Sequence, residues 1–464
     1  MGLFTNHTVF IPKFTTTEVS GETFGGFLCD KYINSQPNAN AYNGLPDVGS
    51  DVIPIGSVPG ISRAGIPVWK FIRFPSAMIA CCNKGKGYHL TTVYERASLA
   101  FLSQKLGTMP HGNNKNVNPP CDFTYTSEVG MLDKYEYTRS AAANNMALPG
   151  TGPNTWAHNH QASGVFDLNG LVWEWCMGLF LEPITGYVRI IGSNDVTYTG
   201  SPYGRGTVSG SGGATPTITL DGSGINWKKE WTADIFNGME VYIAEASGMI
   251  TALNGTPTAG GSGYAEGDVL TITTGGFSAT CRVKTVGGGG TVTSVGLLHG
   301  GGGYTTGAGK VTTTTGAGIG CTVNITTVNT SNHGAFFTIA DTTSGTLILE
   351  SGATPPNGTA TFVIVKRVAT DITSGSTSGQ KIVSIRNSDA NLKYFALPLS
   401  TSVAGSTVYG TDFFYFDKTS ETDKAASWGG YFRNEVGAGV FALSLGDPPS
   451  SSPSGIGFRA CKAL

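Results

Sequence analysis

The middle of the chain, residues 195–410, is dominated by Gly, Thr, Ser and Val and contains an internal repeat. A Gly-rich turn ending in Tyr264 recurs forty residues later as Gly-Gly-Gly-Tyr304, and Cys281 recurs as Cys321 at the same offset. Runs of alternating Thr and Val between glycine turns are typical of β-strands. Two such copies at a fixed period predict a small β-module that buries one shared core.

The two repeat units occupy about 255–328, and single strands are predicted around them. The repeated cysteines leave two interpretations open: a disulfide, or two equivalent small buried side chains, of which the second is favoured. Apolar residues alternate with polar ones in the other strand segments, which are 239–244, 335–340, 346–350, 361–366, 381–386 and 394–397.

The first 194 residues contain the helix patterns, at 75–82 and 92–106. Thr92 and Glu95 have the spacing of a capping box at the start of the second helix. Its apolar residues recur on one face, and Gly107 follows as a stop signal. These two segments are the only substantial helices that the sequence predicts.

Composition narrows the classes of function. Gly makes up 67 of the 464 residues, about twice the average share of roughly 7%, and only 13% of residues are charged. A net charge of −2 argues against a protein that binds nucleic acid by neutralising phosphates. We find no apolar run of the ~18 residues that a membrane helix needs, and no signal-peptide pattern. This balance favours a stiff, β-rich assembly protein over a cytosolic metabolic enzyme.

Three motifs occur in a set order outside the middle region. Residues 87–97 read GYHLTTVYERA, residues 164–175 read GVFDLNGLVWEW, and GIGFR at 455–459 follows SWGG at 427–430. These strings resemble the motifs of the formylglycine-generating-enzyme-like branch of the C-type lectin fold. Leu171 departs from that pattern, since the family usually has Asn there.

The resemblance implies an α+β class: a C-type-lectin-like domain with a large all-β, Gly/Thr-rich insert. Its N-terminal part would be residues 1–194, the insert 195–410, and its C-terminal part 411–464. A fold of this kind requires the first and last segments to share one core. We therefore predict that Trp173, Trp175, Trp428 and Phe458 pack in a single cluster.

This sequence lacks the metal-binding motifs that the enzymes of this family use. Formylglycine-generating enzymes bind copper through a pair of cysteines near the terminal GFR string, where this chain has only Cys461. Related iron enzymes need His-x-x-x-His-x-Glu, whereas His158 and His160 are two apart, and an HNH nuclease would need a further His and a basic context. We interpret the two histidines as part of a polar turn. No catalytic residue, metal or cofactor is predicted, and the protein is expected not to be an enzyme.

A closer resemblance is to phage and prophage proteins with a C-terminal lectin-fold domain, many of them variable targets of diversity-generating retroelements. It rests on WAHNHQASGVFDLNG at 156–170 and on the framework residues between Trp428 and Arg459. It implies a virion protein made in the host cytoplasm and displayed on the particle as a tail fibre, tail tip or head fibre. Such a protein would bind a bacterial cell-surface receptor, protein or glycan, and contact other virion proteins as a homotrimer. Neither nucleic acid nor membrane insertion is expected.

The segment 431–455 is predicted to be the ligand-binding surface. Tyr, Phe and Arg mixed with Ser, Gly and Asn is the composition of a paratope. Two alternatives stay open at this point: a structural decoration protein without a receptor, and an oxidase of the formylglycine-generating type, which the missing cysteine pair disfavours. The residues predicted to contact the ligand are Tyr431, Phe432, Arg433, Asn434, Glu435, Ser444, Asp447, Ser451 and Ser454.

Overall fold

The computed structural model defines the architecture of most of the chain. No helix in this part of the chain is long and apolar enough to cross a membrane. The residues that it describes are 7–37, 39, 58–134, 145–192, 202–220, 234–244, 250–275, 279–299, 304–314, 316–328, 335–343, 345–353, 355, 357–406, 408–420, 422–451 and 453–463.

The fold is all-β, so the predicted α+β class is wrong. The described residues form twenty-nine strands but only two α-helices, of 9 and 14 residues. The helices do not make a layer of their own, because they pack onto strands from both the first segment and the middle region. Strong helix signals at two places were therefore a poor guide to the class of the whole chain.

The two helices themselves are confirmed, as α1 (Phe74–Cys82) and α2 (Val93–Leu106). Thr92 accepts a hydrogen bond from the Glu95 amide at 3.1 Å, and the Glu95 carboxylate accepts from the Thr92 amide at 2.8 Å, which completes the capping box. Gly107 ends α2 in the left-handed conformation. The predicted one-sided burial is wrong, since every residue of α2 from 93 to 103 is buried.

The strands of the first segment are short apart from the one that follows the GVFDLNG motif. They are β1 Thr8–Ile11, β2 Phe14–Thr15, β3 Thr23–Phe24, β4 Phe27–Asp30, β5 Asn34–Ser35, β6 Ile61–Ser62, β7 Tyr88–Leu90, β8 Trp173–Leu181 and β9 Val188–Ile191.

The middle region supplies fifteen strands in the described residues. They are β10 Tyr203–Ser209, β11 Thr217–Leu220, β12 Glu240–Ala244, β13 Ile250–Leu253, β14 Ala259–Ser262, β15 Val269–Ile272, β16 Ala279–Val286, β17 Val292–His299, β18 Gly307–Thr314, β19 Ile319–Val328, β20 Ala335–Thr343, β21 Thr346–Leu349, β22 Gly358–Val368, β23 Gln380–Ile385 and β24 Pro398–Ser402. Five of the six predicted single strands are confirmed. The sixth, 394–397, is wrong, because a 3-10 turn at Lys393–Phe395 occupies it.

The last segment adds five short strands. They are β25 Phe413–Phe416, β26 Lys424–Trp428, β27 Leu443–Leu445, β28 Ile456–Phe458 and β29 Ala460–Lys462.

One fourteen-stranded sheet contains strands from all three segments, in the order β10-β11-β21-β20-β12-β22-β9-β8-β26-β27-β25-β23-β24, with β28 beside β8. Strand β8 pairs antiparallel with β26, which places Ser427 opposite Trp175, and parallel with β28, which places Phe458 opposite Trp175. A second sheet, β1-β4-β29-β7, also joins the two ends of the chain. The predicted boundaries at 194 and 410 stay a prediction.

The predicted aromatic cluster is confirmed. Trp175, Trp428 and Phe458 are buried in the main hydrophobic core, and Trp173 packs against it. The Trp175 indole donates to the Ile72 carbonyl at 2.9 Å, so its polar edge is satisfied inside the core. The first and last segments therefore share one core.

The repeat forms a separate seven-stranded sheet, β13-β19-β18-β15-β16-β17 with β14 beside β19, around its own core. Each of the two repeated tyrosines forms a hydrogen bond to the backbone of the other copy. The Tyr264 hydroxyl accepts from the Cys321 amide at 3.1 Å, and the Tyr304 hydroxyl accepts from the Ala279 amide at 3.2 Å. Cys281 and Cys321 are buried free thiols, as the favoured interpretation predicts. The turn at 301–303 lies outside the described residues.

Candidate functional site

The segment that follows the SWGG string is a loop with a fixed base. Gly429 and Gly430 both have positive φ, and a Cβ on Gly430 would lie 2.5 Å from the Cβ of Ala438. The Gly439 amide donates to the Gly429 carbonyl at 3.1 Å, and the Trp428 indole donates to the Val440 carbonyl at 2.9 Å. Residues 430–438, which we call the site loop, are therefore closed onto the core by their own ends.

The inside of the site loop is also fixed by hydrogen bonds. The Tyr431 amide donates to Asn434 Oδ1 at 2.8 Å, and the Asn434 amide donates to the Tyr431 carbonyl at 2.9 Å. Glu435 has a φ of +48° and donates its amide to the Asn114 carbonyl at 2.9 Å. The Asn434 side chain thus shapes the loop, while the Glu435 carboxylate remains exposed.

Two of the predicted ligand contacts are not accessible. Phe432 is 5% exposed and belongs to a buried cluster with Trp156 and Leu171, and its amide donates to the Leu171 carbonyl. Ser444 lies buried in the middle of β27. The expected exposure of these two side chains is wrong, because both belong to the packed base of the loop.

Asp447 and Ser451 are half-buried. The carbonyl of Asp447 accepts from the Ala425 amide at 3.0 Å, next to Lys424 at the far end of β26. Strand β26 is five residues long, so with a rise of ~3.3 Å per residue its two ends are about 13 Å apart. Asp447 therefore lies beside the end of β26 that is farther from the site loop, and the predicted ligand contacts of Asp447 and Ser451 stay predictions. Burial raises the pKa of its carboxyl, and Lys424 opposes that shift.

The remaining predicted residues lie together. Arg433, Glu435 and Ser454 are exposed, and Tyr431 and Asn434 are half-buried. The chain at 454–455 returns to the loop, since a Cβ on Gly455 would lie 3.3 Å from the Tyr431 ring. These five residues form one patch around the loop, and their contact with a ligand stays a prediction.

Three aromatic side chains that were not among the predicted ligand contacts extend this patch. Trp173 and Tyr415 meet edge to face with ring centroids 5.7 Å apart, and Phe413 lies 5.8 Å from Tyr415. Gly437 of the site loop brings these rings next to the loop, because a Cβ there would lie 2.8 Å from the Tyr415 hydroxyl. Burial, and then the nearby Tyr431, raise the pKa of the Tyr415 hydroxyl.

We call Trp173, Phe413, Tyr415 and Tyr431 the aromatic face. All four side chains are half-buried, so each ring keeps part of its surface in solvent. The Trp173 amide donates to the Gly455 carbonyl at 2.8 Å, which ties β8 to the same region. The sequence did contain a signal for this face, the FFYF run of β25. In a strand its side chains alternate between the two faces of the sheet, and Phe414 is buried whereas Phe413 and Tyr415 are half-buried.

No family model matches the chain, and no curated protein is similar enough to it to be a relative. The resemblance to lectin-fold phage proteins therefore stays a prediction that rests on the motif residues. What the structure adds is the position of those residues relative to the site loop.

Arg459 of the GFR string is buried beneath this region and joins three parts of the chain. Its guanidinium donates to Glu174 Oε2 at 2.8 Å, to the Asp30 carbonyl at 2.9 Å and to the Phe166 carbonyl at 2.8 Å. Although burial opposes the charge, Glu174 raises the pKa of Arg459 above its usual range. Strand register places Glu174 opposite Trp428, immediately before the site loop. The arginine therefore anchors the base of the loop.

The histidines of the HNH string hold a turn, as interpreted from the sequence. His158 is buried, its Nδ1 accepts from the Val165 amide at 2.9 Å, and burial lowers its pKa to about 4. His160 Nε2 lies 3.0 Å from the Met109 carbonyl. Both rings are therefore used in local structure.

Cys461 has a neighbour that the sequence did not indicate. Strands β29 and β4 pair antiparallel, which places Cys461 of β29 directly opposite Cys29 of β4. Both are buried free thiols. Burial raises the pKa of the Cys461 thiol well above its usual value. The thiol is thus protonated at neutral pH, whereas metal binding and nucleophilic attack use the thiolate.

Proposed function

We propose that this chain is a receptor-binding protein of a phage particle that contacts the bacterial surface through the aromatic face and its polar rim. The observation that carries the proposal is the grouping of four half-exposed rings beside exposed Arg433 and Glu435. Aromatic and Arg side chains are the residues most enriched at binding hot spots.

Rigidity of the site loop supports a binding role. Both ends of the loop are hydrogen-bonded to each other, and Tyr431 and Asn434 bond reciprocally within it. A surface that is ordered before binding loses less conformational entropy when the partner arrives. A rigid scaffold that presents Tyr together with adaptable polar side chains is also how paratopes achieve affinity.

The same proposal covers the setting of the protein. It is displayed on the virion surface after synthesis in the host cytoplasm, as a homotrimer in contact with other virion proteins. The partner is a cell-surface receptor, protein or glycan, and the function is adhesion without catalysis. The support for this setting is the motif resemblance, and the support for the contact surface is the geometry of the aromatic face.

Alanine substitution of the accessible rings tests the proposal. In a Tyr415→Ala/Tyr431→Ala variant we expect phage adsorption to the host to fall at least about tenfold, because each hot-spot ring contributes about 2 kcal/mol or more. Phe432 is left intact, since its removal would damage the buried cluster beneath the loop.

The matched control is Phe10→Ala, which removes a 54% exposed ring on β1, outside the aromatic face. The control should adsorb as the unchanged particle does. If the double variant forms normal particles that adsorb at the unchanged rate, the receptor does not bind at the aromatic face and this assignment is wrong.

A further inference from the structure

A cleft of about 250 Å³ lies beside the site loop, and none of the four residues of the aromatic face lines it. Glu435, Val436 and Ala438 of the loop line it, and so do Val408, Gly410, Thr411 and Asp412. The segments around His111, Tyr125 and Asn169 complete the lining. Residues from three distant parts of the sequence therefore converge here.

An aromatic platform forms the outer part of the cleft. The rings of His111 and Tyr125 stack with centroids 3.8 Å apart and planes 12° apart, and Tyr125 is 47% exposed. His111 Nδ1 lies 2.9 Å from Glu128 Oε2, which fixes the imidazole. Asp122 Oδ1 accepts from the Thr124 and Tyr125 amides at 2.8 and 3.0 Å, which fixes the chain that carries the tyrosine. The platform is therefore held in place before any ligand arrives.

Oxygen acceptors line the inner part. Asp412 is buried, and its Oδ2 accepts from the Phe441 amide at 2.6 Å. Gly439 packs so closely against this carboxyl group that any Cβ there would collide with it. Asn169 donates its Nδ2 to the Pro110 carbonyl at 2.9 Å, and its Oδ1 accepts from Asn114. These contacts build a polar floor beneath the aromatic platform.

The charge of the lining selects the class of ligand. Asp122 and Glu435 contribute acidic side chains, and none of the described lining residues is Lys or Arg. Asp412 adds a buried carboxyl group whose pKa burial raises to about 7, so it offers oxygen atoms more than charge. An anionic ligand would meet like charges, whereas hydroxyl groups can donate to carboxylate and amide oxygens. An exposed aromatic ring next to such acceptors can stack on the apolar C–H face of a sugar ring.

The size of the cleft sets the size of the ligand. Clefts for drug-sized molecules usually measure ~300–1,000 Å³, so a cleft of about 250 Å³ fits a smaller ligand. We propose that this cleft binds one neutral pyranose unit, stacked on Tyr125 and hydrogen-bonded to Glu435 and Asp412. The inference does not require the aromatic face to bind a receptor, because the lining of the cleft and the aromatic face share no residue.

Saturation-transfer NMR on the full-length protein tests this assignment. The probes are the methyl glycosides of glucose, galactose, mannose and N-acetylglucosamine, each measured separately, with methyl glucuronide as the anionic comparison. We expect transfer to at least one neutral glycoside and none to the glucuronide. Titration of that glycoside should show at least about tenfold weaker binding to Tyr125→Ala, and near-unchanged binding to Tyr125→Phe, which keeps the ring.

The matched control is Met131→Ala, which truncates a 60% exposed side chain outside the cleft and should bind as the unchanged protein does. Absence of transfer to all four neutral glycosides would overturn the proposal, and so would equal binding by Tyr125→Ala. A glycoside that binds the unchanged protein and the Tyr415→Ala/Tyr431→Ala variant equally would uphold the cleft even if adsorption did not depend on the aromatic face. Binding of a polysaccharide but of no free glycoside would place sugar recognition outside the cleft.

Discussion

Replacement of Arg459 by Met should remove a large part of the stability of the core that supports the site. The substitution keeps a long apolar side chain but removes the guanidinium whose Nε lies 2.8 Å from Glu174 Oε2. The nearest remaining cation is then Arg96, whose Nη2 lies 3.7 Å from Glu174 Oε1. Removal of one partner of a buried ion pair costs about 3–5 kcal/mol, because the other charge remains buried.

The backbone adds to that loss. The carbonyls of Asp30 and Phe166 each lose a donor, and an unsatisfied buried group costs at least about 1 kcal/mol. We therefore expect Arg459→Met to lower the free energy of unfolding by about 5 kcal/mol, a large part of the ~5–15 kcal/mol that folded proteins have.

Guanidinium chloride denaturation followed by tryptophan fluorescence measures this change, since Trp175 and Trp428 lie in the same core. The double variant Glu174→Gln/Arg459→Met measures how much of the loss comes from the Glu174 carboxylate, which in Arg459→Met keeps only Arg96, at 3.7 Å, as an ion-pair partner. The exposed Arg433→Met is the control and should change stability by less than about 1 kcal/mol. An Arg459→Met protein within about 1 kcal/mol of the unchanged one would refute the role given to this arginine.

Three further predictions follow from burial and backbone geometry. Burial raises the pKa of Asp167 and of Asp412 from 3.8 to about 7, so between these values the folded state retains protons that the unfolded state loses. Thermal melts should therefore show stability falling as the pH rises from about 4 to about 7, and Asp412→Asn should make that fall smaller. Gly430→Ala should lower the free energy of unfolding by about 1–3 kcal/mol, because φ is +80° and the new Cβ would lie 2.5 Å from Ala438. Gly65→Ala, at φ +69° with open space around it, should lower it less. Equal losses in denaturation experiments would contradict the steric argument. All eight cysteines are buried free thiols, so a thiol reagent should find eight reactive groups in denaturant and almost none before it; rapid labelling of the native protein would contradict this burial.

The parts of the fold that could be predicted from the sequence are those specified by nearby residues. The capping box of α2 needs only Thr92 and Glu95, three positions apart, and the structure has both of its hydrogen bonds. The repeat likewise shows itself through local spacing, and Tyr264 and Tyr304 have equivalent roles in the module.

The aromatic face could not be predicted in the same way. Trp173 comes from the first segment, whereas Phe413 and Tyr431 come from two separate parts of the last segment. Only the strand order β8-β26-β27-β25 brings these parts of the chain side by side. Phe432 was expected to be exposed because the segment 431–455 has the composition of a paratope. Its burial depends on Leu171 and Trp156, more than 250 positions away. Long-range sheet pairing determined both outcomes.

The distance in sequence between Glu174 and Arg459 has a consequence for synthesis. They are 285 positions apart, and at about 5–20 residues per second the ribosome needs on the order of 15–60 s to deliver the arginine after the glutamate. Until then β8 lacks β26 and β28 on its edges. The repeat module, whose core lies within 250–328, is complete much earlier. We expect nascent chains to acquire protease resistance from the middle outwards, so that the surface proposed to meet the host is the last to form.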